Sequence, residues 1–160
     1  DVVLHAMQYA MNNNCNYQYI ALLEPTSPFV YFQDILNAII QLKENKTASA
    51  IVATKYVETS TFFIQEENEY INIISDRIQS LNKTRRQEMK AEITPSGGFY
   101  ISKWELFLQN KSFYTDKTLS YILPDVCSLE IDHPLQLQWA SFLLQNNIID
   151  INKIFNHERI

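Results

Sequence analysis

The stretch Tyr19-Ile20-Ala21-Leu22-Leu23-Glu24-Pro25-Thr26-Ser27-Pro28 decides the fold. Taken from Tyr17, its first half is a nearly continuous apolar run bounded by turn signals. Such a run predicts a strand buried in the interior of a parallel sheet. The second half stops that strand. Pro25 and Pro28 together forbid a longer strand and an immediate helix. The carboxyl end of the strand therefore opens onto a stiff loop. Ligands of open α/β sheets bind at that edge, so residues Glu24 to Pro28 form a first candidate site. A rigid turn without function is the competing reading.

Upstream, Leu4, Met7 and Met11 recur at helical spacing, with Asp1 as a suitable N-cap and Asn12-Asn13-Asn14 as a loop behind them. A chain that opens on a helix cap with no strand before it reads as cut, by trimming, by proteolysis or by truncation of its gene. Downstream, Phe32, Ile35, Leu36 and Ile39 mark a helix ending near Lys43, and Ala48 to Thr54 is a second short buried strand. Strand, crossover helix and strand predict a parallel α/β sheet.

Further on, Thr61 to Gln65 and Tyr70 to Ile74 are β-prone and flank Glu66-Glu67-Asn68-Glu69. That is a hairpin with a charged turn, suited to a lid or a dimer arm. Ser75 to Thr94 is polar and shows no assignable pattern. Both glycines of the chain, Gly97 and Gly98, stand side by side after Thr94-Pro95-Ser96 and lead into Phe99-Tyr100-Ile101. In a chain so poor in glycine, they mark a close approach of backbone or a positive φ; a simple turn before a strand is the alternative. Trp104, Phe107 and Leu108 predict a helix over 102–109. Ser120 to Leu123 and Val126 to Ile131 read as strands. Pro134 to Asn146 is a helix with proline in its first turn. Ile149 to Ile160 is amphipathic and short.

Composition narrows the class. The chain has 160 residues, 46% of them apolar and 12% aromatic, which suits one ordinary domain with a real core. Its longest apolar runs fall far short of a membrane span. The net charge of −5 argues against a nucleic-acid partner, since the one tight basic cluster is Lys83, Arg85 and Arg86. A small phosphorylated ligand still fits, because one or two arginines and a divalent metal suffice to hold it. Cys15 and Cys127 lie far apart and form no metal or disulfide pattern, as expected of thiols in a reducing compartment such as the cytoplasm. His5, His133 and His157 show no ligand spacing.

Two further constellations could carry chemistry. In Glu130-Ile131-Asp132 the two acids stand two apart, so an extended strand turns both to one side. Paired carboxylates there suit Mg²⁺. The plainer reading has Asp132 capping the next helix and Glu130 in solvent. The other constellation is Thr84-Arg85-Arg86-Gln87-Glu88, where an arginine can clamp a phosphate or carboxylate.

Taken in order, these pieces resemble one family, the acylneuraminate cytidylyltransferases, or CMP-sialic acid synthetases. Tyr19 to Leu23 with Glu24-Pro25-Thr26-Ser27-Pro28 resembles the family's Leu-Leu-Gln-Pro-Thr-Ser-Pro. Arg86-Gln87 resembles its Arg-Gln pair. Ser96-Gly97-Gly98-Phe99-Tyr100-Ile101 is similar to its Asn-Gly-Ala-Ile-Tyr-Ile. Phe113-Tyr114 falls where the family often has an aromatic pair, and Leu129-Glu130-Ile131-Asp132 looks like its Ile-Asp-Ile-Asp metal motif. The departures are Glu24 for glutamine, Val30 for an arginine, Ser96 for asparagine and Glu130 for aspartate. The family's N-terminal stretch, with the Ala-Arg-x-Gly-Ser-Lys-Gly loop that grips the CTP phosphates, has no counterpart in this sequence.

The resemblance implies a three-layer α/β/α fold like that of the nucleotide-diphospho-sugar transferases, as a single domain over 1–160 with an inserted dimerisation hairpin at 61–87. It implies attack of a nonulosonic acid's anomeric hydroxyl on the α-phosphorus of CTP, with release of pyrophosphate. Asp132 and Arg86 would be catalytic, and Glu130 and Asp132 would hold Mg²⁺. Glu24, Thr26, Ser27, Ser96, Gly97, Tyr100, Phe113 and Tyr114 would line the substrate site. The partners would be CTP, the acid sugar and a second copy of the chain, with no nucleic acid and no membrane. Without the phosphate loop, the 160 residues alone are expected not to turn over CTP. Two other readings stand beside this one: a non-catalytic interaction fragment of the same fold, and a cytidylyltransferase for another acid sugar such as Kdo.

Overall fold

A computed structural model describes residues 2–57, 62–67, 70–76 and 91–155. In chain order the elements are α1 (Val2–Asn12), β1 (Tyr19–Leu23), α2 (Phe32–Glu44), β2 (Ala50–Val57), β3 (Phe62–Glu67), β4 (Tyr70–Asp76), β5 (Glu92–Lys103), α3 (Trp104–Asn110), β6 (Thr118–Ile122), a 3₁₀ turn (Asp125–Ser128), α4 (Pro134–Gln145) and α5 (Ile151–Ile154). The chain divides into two compact units, Asp1–Lys55 with Pro95–Ile160, and Tyr56–Thr94. Among the described residues no helix is long and apolar enough to cross a membrane.

The larger unit is α/β. Its sheet has four strands in the order β1-β5-β2-β6. It is mixed: β2 and β6 run parallel, from Ala50↔Thr118 to Thr54↔Ile122. β1 runs antiparallel to β5, from Tyr19↔Lys103 to Leu23↔Phe99. This corrects the expectation of an interior parallel strand at Tyr17 to Leu23. β5 enters the sheet between β1 and β2, so α2 carries the chain across it instead of joining two neighbours. Among the described residues β1 is also an edge strand with no fully buried residue, so the apolar run foretold neither its depth nor its partner's direction.

Helices cover both faces of this sheet, because successive strand residues point to opposite sides. On one face Ile51, Ala53, Phe99 and Ile101 pack with Ala38 and Leu42 of α2 and with Ala140 and Leu143 of α4. On the other, Val52, Tyr100, Ile20 and Leu22 meet Met7 of α1, Trp104 and Phe107 of α3, and Phe113. The helix α2 sits where its apolar spacing predicts. Its stripe Ile35, Ala38, Ile39, Leu42 faces the first of these cores. The helix α3 follows β5 with no loop and ends at Lys111, whose φ of 52° is left-handed.

The expected strand Val126 to Ile131 is also corrected. Pro124 opens a tight turn in which Cys127 N–H and Ser128 N–H both donate to its carbonyl, at 2.8 and 3.1 Å. The Ser128 hydroxyl closes the turn on the Asp125 carbonyl at 2.8 Å. Residues 129–132 then run without regular structure. A proline followed by aspartate seeds such a turn regardless of the β-prone residues behind it.

The two glycines lie inside β5, and each has its own reason. Gly97 has a φ of 65°. Gly98 has no room for a side chain: a Cβ there would stand 2.8 Å from Leu123 Cδ1 and 3.0 Å from Val30 Cγ2. Both neighbours are buried. Gly98→Ala is therefore expected to overpack this core and cost about 1–3 kcal/mol in urea unfolding. Val30 is used for packing here, which accounts for an apolar residue at that position.

In the smaller unit β3 and β4 pair antiparallel, from Phe62↔Asp76 to Glu67↔Tyr70, with an irregularity between Phe63 and Ile64. The hairpin is thus present. The remainder of the segment read as a dimer arm, including Lys83, Arg85, Arg86 and Gln87, lies outside the described residues.

Candidate functional site

Four pieces of the larger unit meet at one end of the sheet. The first is the turn after β1. Ser27 N–H donates to the Glu24 carbonyl at 3.0 Å, with Pro25 in the second position, where its fixed φ favours such a turn. The second is the segment carrying Glu130, tied to that turn by Ile131 N–H donating to the Thr26 carbonyl at 2.8 Å. The third is Gly97 in β5. The fourth is Lys55, which follows Thr54 where β2 passes the end of β6.

Side-chain oxygens converge on Gly97. The position its missing Cβ would take lies 2.9 Å from Glu130 Oε2, 3.1 Å from Glu24 Oε2 and 3.1 Å from Ser27 Oγ. Two carboxylates so close need compensation. Lys55 Nζ supplies part of it, 2.6 Å from Glu130 Oε1, with both side chains a little under one-third exposed. At that exposure the pair contributes about 1 kcal/mol or less to stability. Its larger effect is to fix which way Glu130 points.

An aromatic flank adjoins the carboxylates. The Tyr100 ring lies 6.2 Å from that of Tyr114, edge to face, and 5.6 Å from that of Phe113. Burial first, and then the Glu24 carboxylate, raise the Tyr100 hydroxyl above the ordinary phenol range. It therefore stays protonated, with its hydroxyl directed at Glu24. Tyr114 is half exposed, whereas Phe113 is buried and packs on Phe107 at a centroid distance of 4.6 Å. Of the expected aromatic pair, only Tyr114 offers its ring to solvent.

The remaining predicted residues divide. Thr26 is exposed and takes part through its carbonyl. Ser27 and Ser96 are buried, and their hydroxyls have no partner among the described residues. Asp132 is exposed and does not cap α4. His133 holds that position, and Gln136 Oε1 accepts from both Asp132 N–H at 2.8 Å and His133 N–H at 2.7 Å. Glu130 is neither in a strand nor simply solvated, since it pairs with Lys55. Arg86 lies outside the described residues.

Lys55 is the residue that sequence reading passed over. A signal was there: β2 is apolar and buried until a lysine appears at the end where ligands bind.

The donor chemistry suits a hard cation, being all oxygen. Among the described residues no cluster of three or more acidic, histidine or cysteine side chains exists. Magnesium does not require one. It is commonly held by one or two carboxylates and completed by water and substrate phosphates. Glu130 Oε2, turned away from Lys55 toward Gly97, is one oxygen of that kind.

The fold is α/β, and Glu24 and Glu130 come together at one end of its mixed sheet. The proteins similar to this chain are cytidylyltransferases. N-acylneuraminate cytidylyltransferase of Escherichia coli O18:K1:H7 is 24% identical over 139 residues, which is 87% of this chain and 33% of that protein. N-acylneuraminate cytidylyltransferase of Streptococcus agalactiae serotype V is 26% identical over 115 residues, 72% of this chain and 27% of that protein. The protein of the same name from serotype III is 38% identical over 48 residues. The chain spans about a third of the length of the curated relatives it matches, or less. No family model matches it. The family resemblance read from the motifs is thus supported by relatives of that name, at low identity.

Proposed function

We propose that this chain is part of a nucleotidyltransferase that joins CMP, drawn from CTP, to a nonulosonic acid and releases pyrophosphate. The observation that carries this reading is the convergence of Glu24, Ser27 and Glu130 on Gly97. All four occupy positions where the chain resembles the cytidylyltransferase motifs.

Such a transfer depends mostly on positioning and charge neutralisation. Magnesium, held by Glu130 and Asp132, would supply positive charge against the triphosphate. Lys55 holds Glu130 by one oxygen and leaves the other turned toward Gly97. The Ser27 and Ser96 hydroxyls, buried and unpaired among the described residues, are donors in wait of substrate oxygens. Tyr100 and Tyr114 wall the sugar, and Phe113 supports them from the core. Arg86 would meet an anionic group. The hairpin β3–β4 would serve a homodimer.

The test pairs calorimetry of CTP binding in Mg²⁺ with pyrophosphate release on a panel of nonulosonic acids. CTP is expected to bind, and Asp132→Ala to weaken binding by at least the ~10–100-fold that perturbing a metal site costs. A chain that binds no CTP and releases no pyrophosphate with any acid removes the proposal.

A further inference from the structure

We infer that Lys55 binds an oxyanion of the ligand, a phosphate or a carboxylate, and that Glu130 holds its ammonium in place to do so. The inference rests on the transferase reading in taking the ligand to be acidic. Charge comes first. Glu24 and Glu130 both turn a carboxylate oxygen toward Gly97, so this end of the sheet by itself repels an anion. An acidic ligand there needs a cation on the protein. Among the described residues there is no arginine, and Lys55 forms the one ion pair, with Glu130.

The donor count is a second, independent feature. An ammonium carries three N–H donors. Glu130 Oε1 takes one at 2.6 Å, and no other acceptor meets Nζ among the described residues. Two donors remain. The side chain keeps 29% of its surface exposed, so part of it is open to solvent. Lys103 shows the contrast. Its ammonium bonds the Asn45 and Lys46 carbonyls at 2.9 and 3.4 Å, which ties a loop to β5. Lys55 meets no backbone carbonyl, so its charge closes no such loop.

Place is the third feature. β2 is buried from Ala50 to Thr54 and opens at Lys55. Its register with β6 ends at Thr54↔Ile122. Lys55 thus stands just past the last paired residue, at the carboxyl edge of two parallel strands, where ligands of α/β sheets bind. A free lysine loses much rotamer freedom when it grips a ligand. The contact with Glu130 has already ordered this one, which lowers the cost of binding.

The experiment is calorimetry on EDTA-treated protein with two probes. Inorganic pyrophosphate offers phosphate, and the methyl glycoside of N-acetylneuraminic acid offers carboxylate. Lys55→Met keeps the length of the side chain and removes its charge. It should weaken at least one probe about tenfold or more, the worth of a hydrogen bond to a charged group. The probe that weakens identifies the oxyanion, and loss of both means that Lys55 takes either. A pair this exposed contributes little to stability, so Lys55→Met still folds. Lys55→Arg keeps the charge and should restore most of the affinity. Three results overturn the inference. The unaltered protein binds neither probe, Lys55→Met binds both as tightly as it does, or Lys55→Arg is as weak as Lys55→Met. CTP titrated in Mg²⁺ alongside separates the two readings. Binding of a probe through Lys55 without binding of CTP sinks only the transferase. Binding of CTP, with both probes indifferent to Lys55, sinks only this inference.

Discussion

Replacing Phe99 with alanine is expected to lower the free energy of unfolding by about 3–5 kcal/mol. Phe99 is fully buried in β5, the strand that lies between β1 and β2. Its ring meets Tyr121 of β6 at 5.6 Å and belongs to the core that α2 and α4 close. Removing it takes away apolar burial and leaves a cavity beneath two helices, and a close-packed interior relaxes only in part. Natural domains are stable by about 5–15 kcal/mol, so the variant should sit near the edge of folding. Its register partner offers the control. Leu23 faces Phe99 across the β1–β5 ladder but is 52% exposed. Leu23→Ala should cost well under half as much by the same urea titration. If the two variants lose similar amounts, β5 is not the centre of this sheet.

The parts of the fold that were legible in sequence are those whose signal is local. Of the face Phe32, Ile35, Leu36 and Ile39 read for α2, Ile35 and Ile39 do turn to the core, and they and the proline at the start of α4 need no knowledge of the rest of the chain. The β3–β4 hairpin is equally local. What escaped depends on distant neighbours. Tyr19 to Leu23 reads as a strand, but that it pairs antiparallel with residues from Phe99 to Lys103 is a fact about the other strand. In the segment after Leu123, β-prone residues were outweighed by one proline and a hydrogen-bonded turn.

The candidate site divides in the same way. Glu24, Ser27, Gly97 and Glu130 were found by resemblance to motifs, and they come together around Gly97. Lys55 belongs to no quoted motif. It is visible only once β2 is laid beside the turn that carries Glu130. The glycine pair was read as either a close approach or a positive φ; Gly97 shows both, and Gly98 the close approach. Sequence also left open whether Asp132 caps α4. Gln136 takes the backbone donors there, a reciprocal bond that its place three residues after His133 foreshadows.

In a protein that carries the phosphate loop together with these residues, Glu130→Gln should reduce CTP-dependent pyrophosphate release by about 10²–10³-fold, the scale on which charge stabilisation at a reacting centre acts. The substitution keeps the shape and still offers Lys55 an oxygen acceptor, so stability should change by no more than about 1 kcal/mol. The loss would therefore be one of charge. Glu130 divides its two oxygens between Lys55 and the space at Gly97, and the second oxygen is the one a magnesium–phosphate assembly would use. Lys55→Met probes the other half of the pair. Added to Glu130→Gln it should cost little more, because residues that act through one contact are not additive. If the Glu130→Gln protein keeps more than about a tenth of its activity, the reacting phosphates lie elsewhere, since a lost charge at the reacting centre costs far more than that. The carboxylate would then be no more than the counter-ion of Lys55.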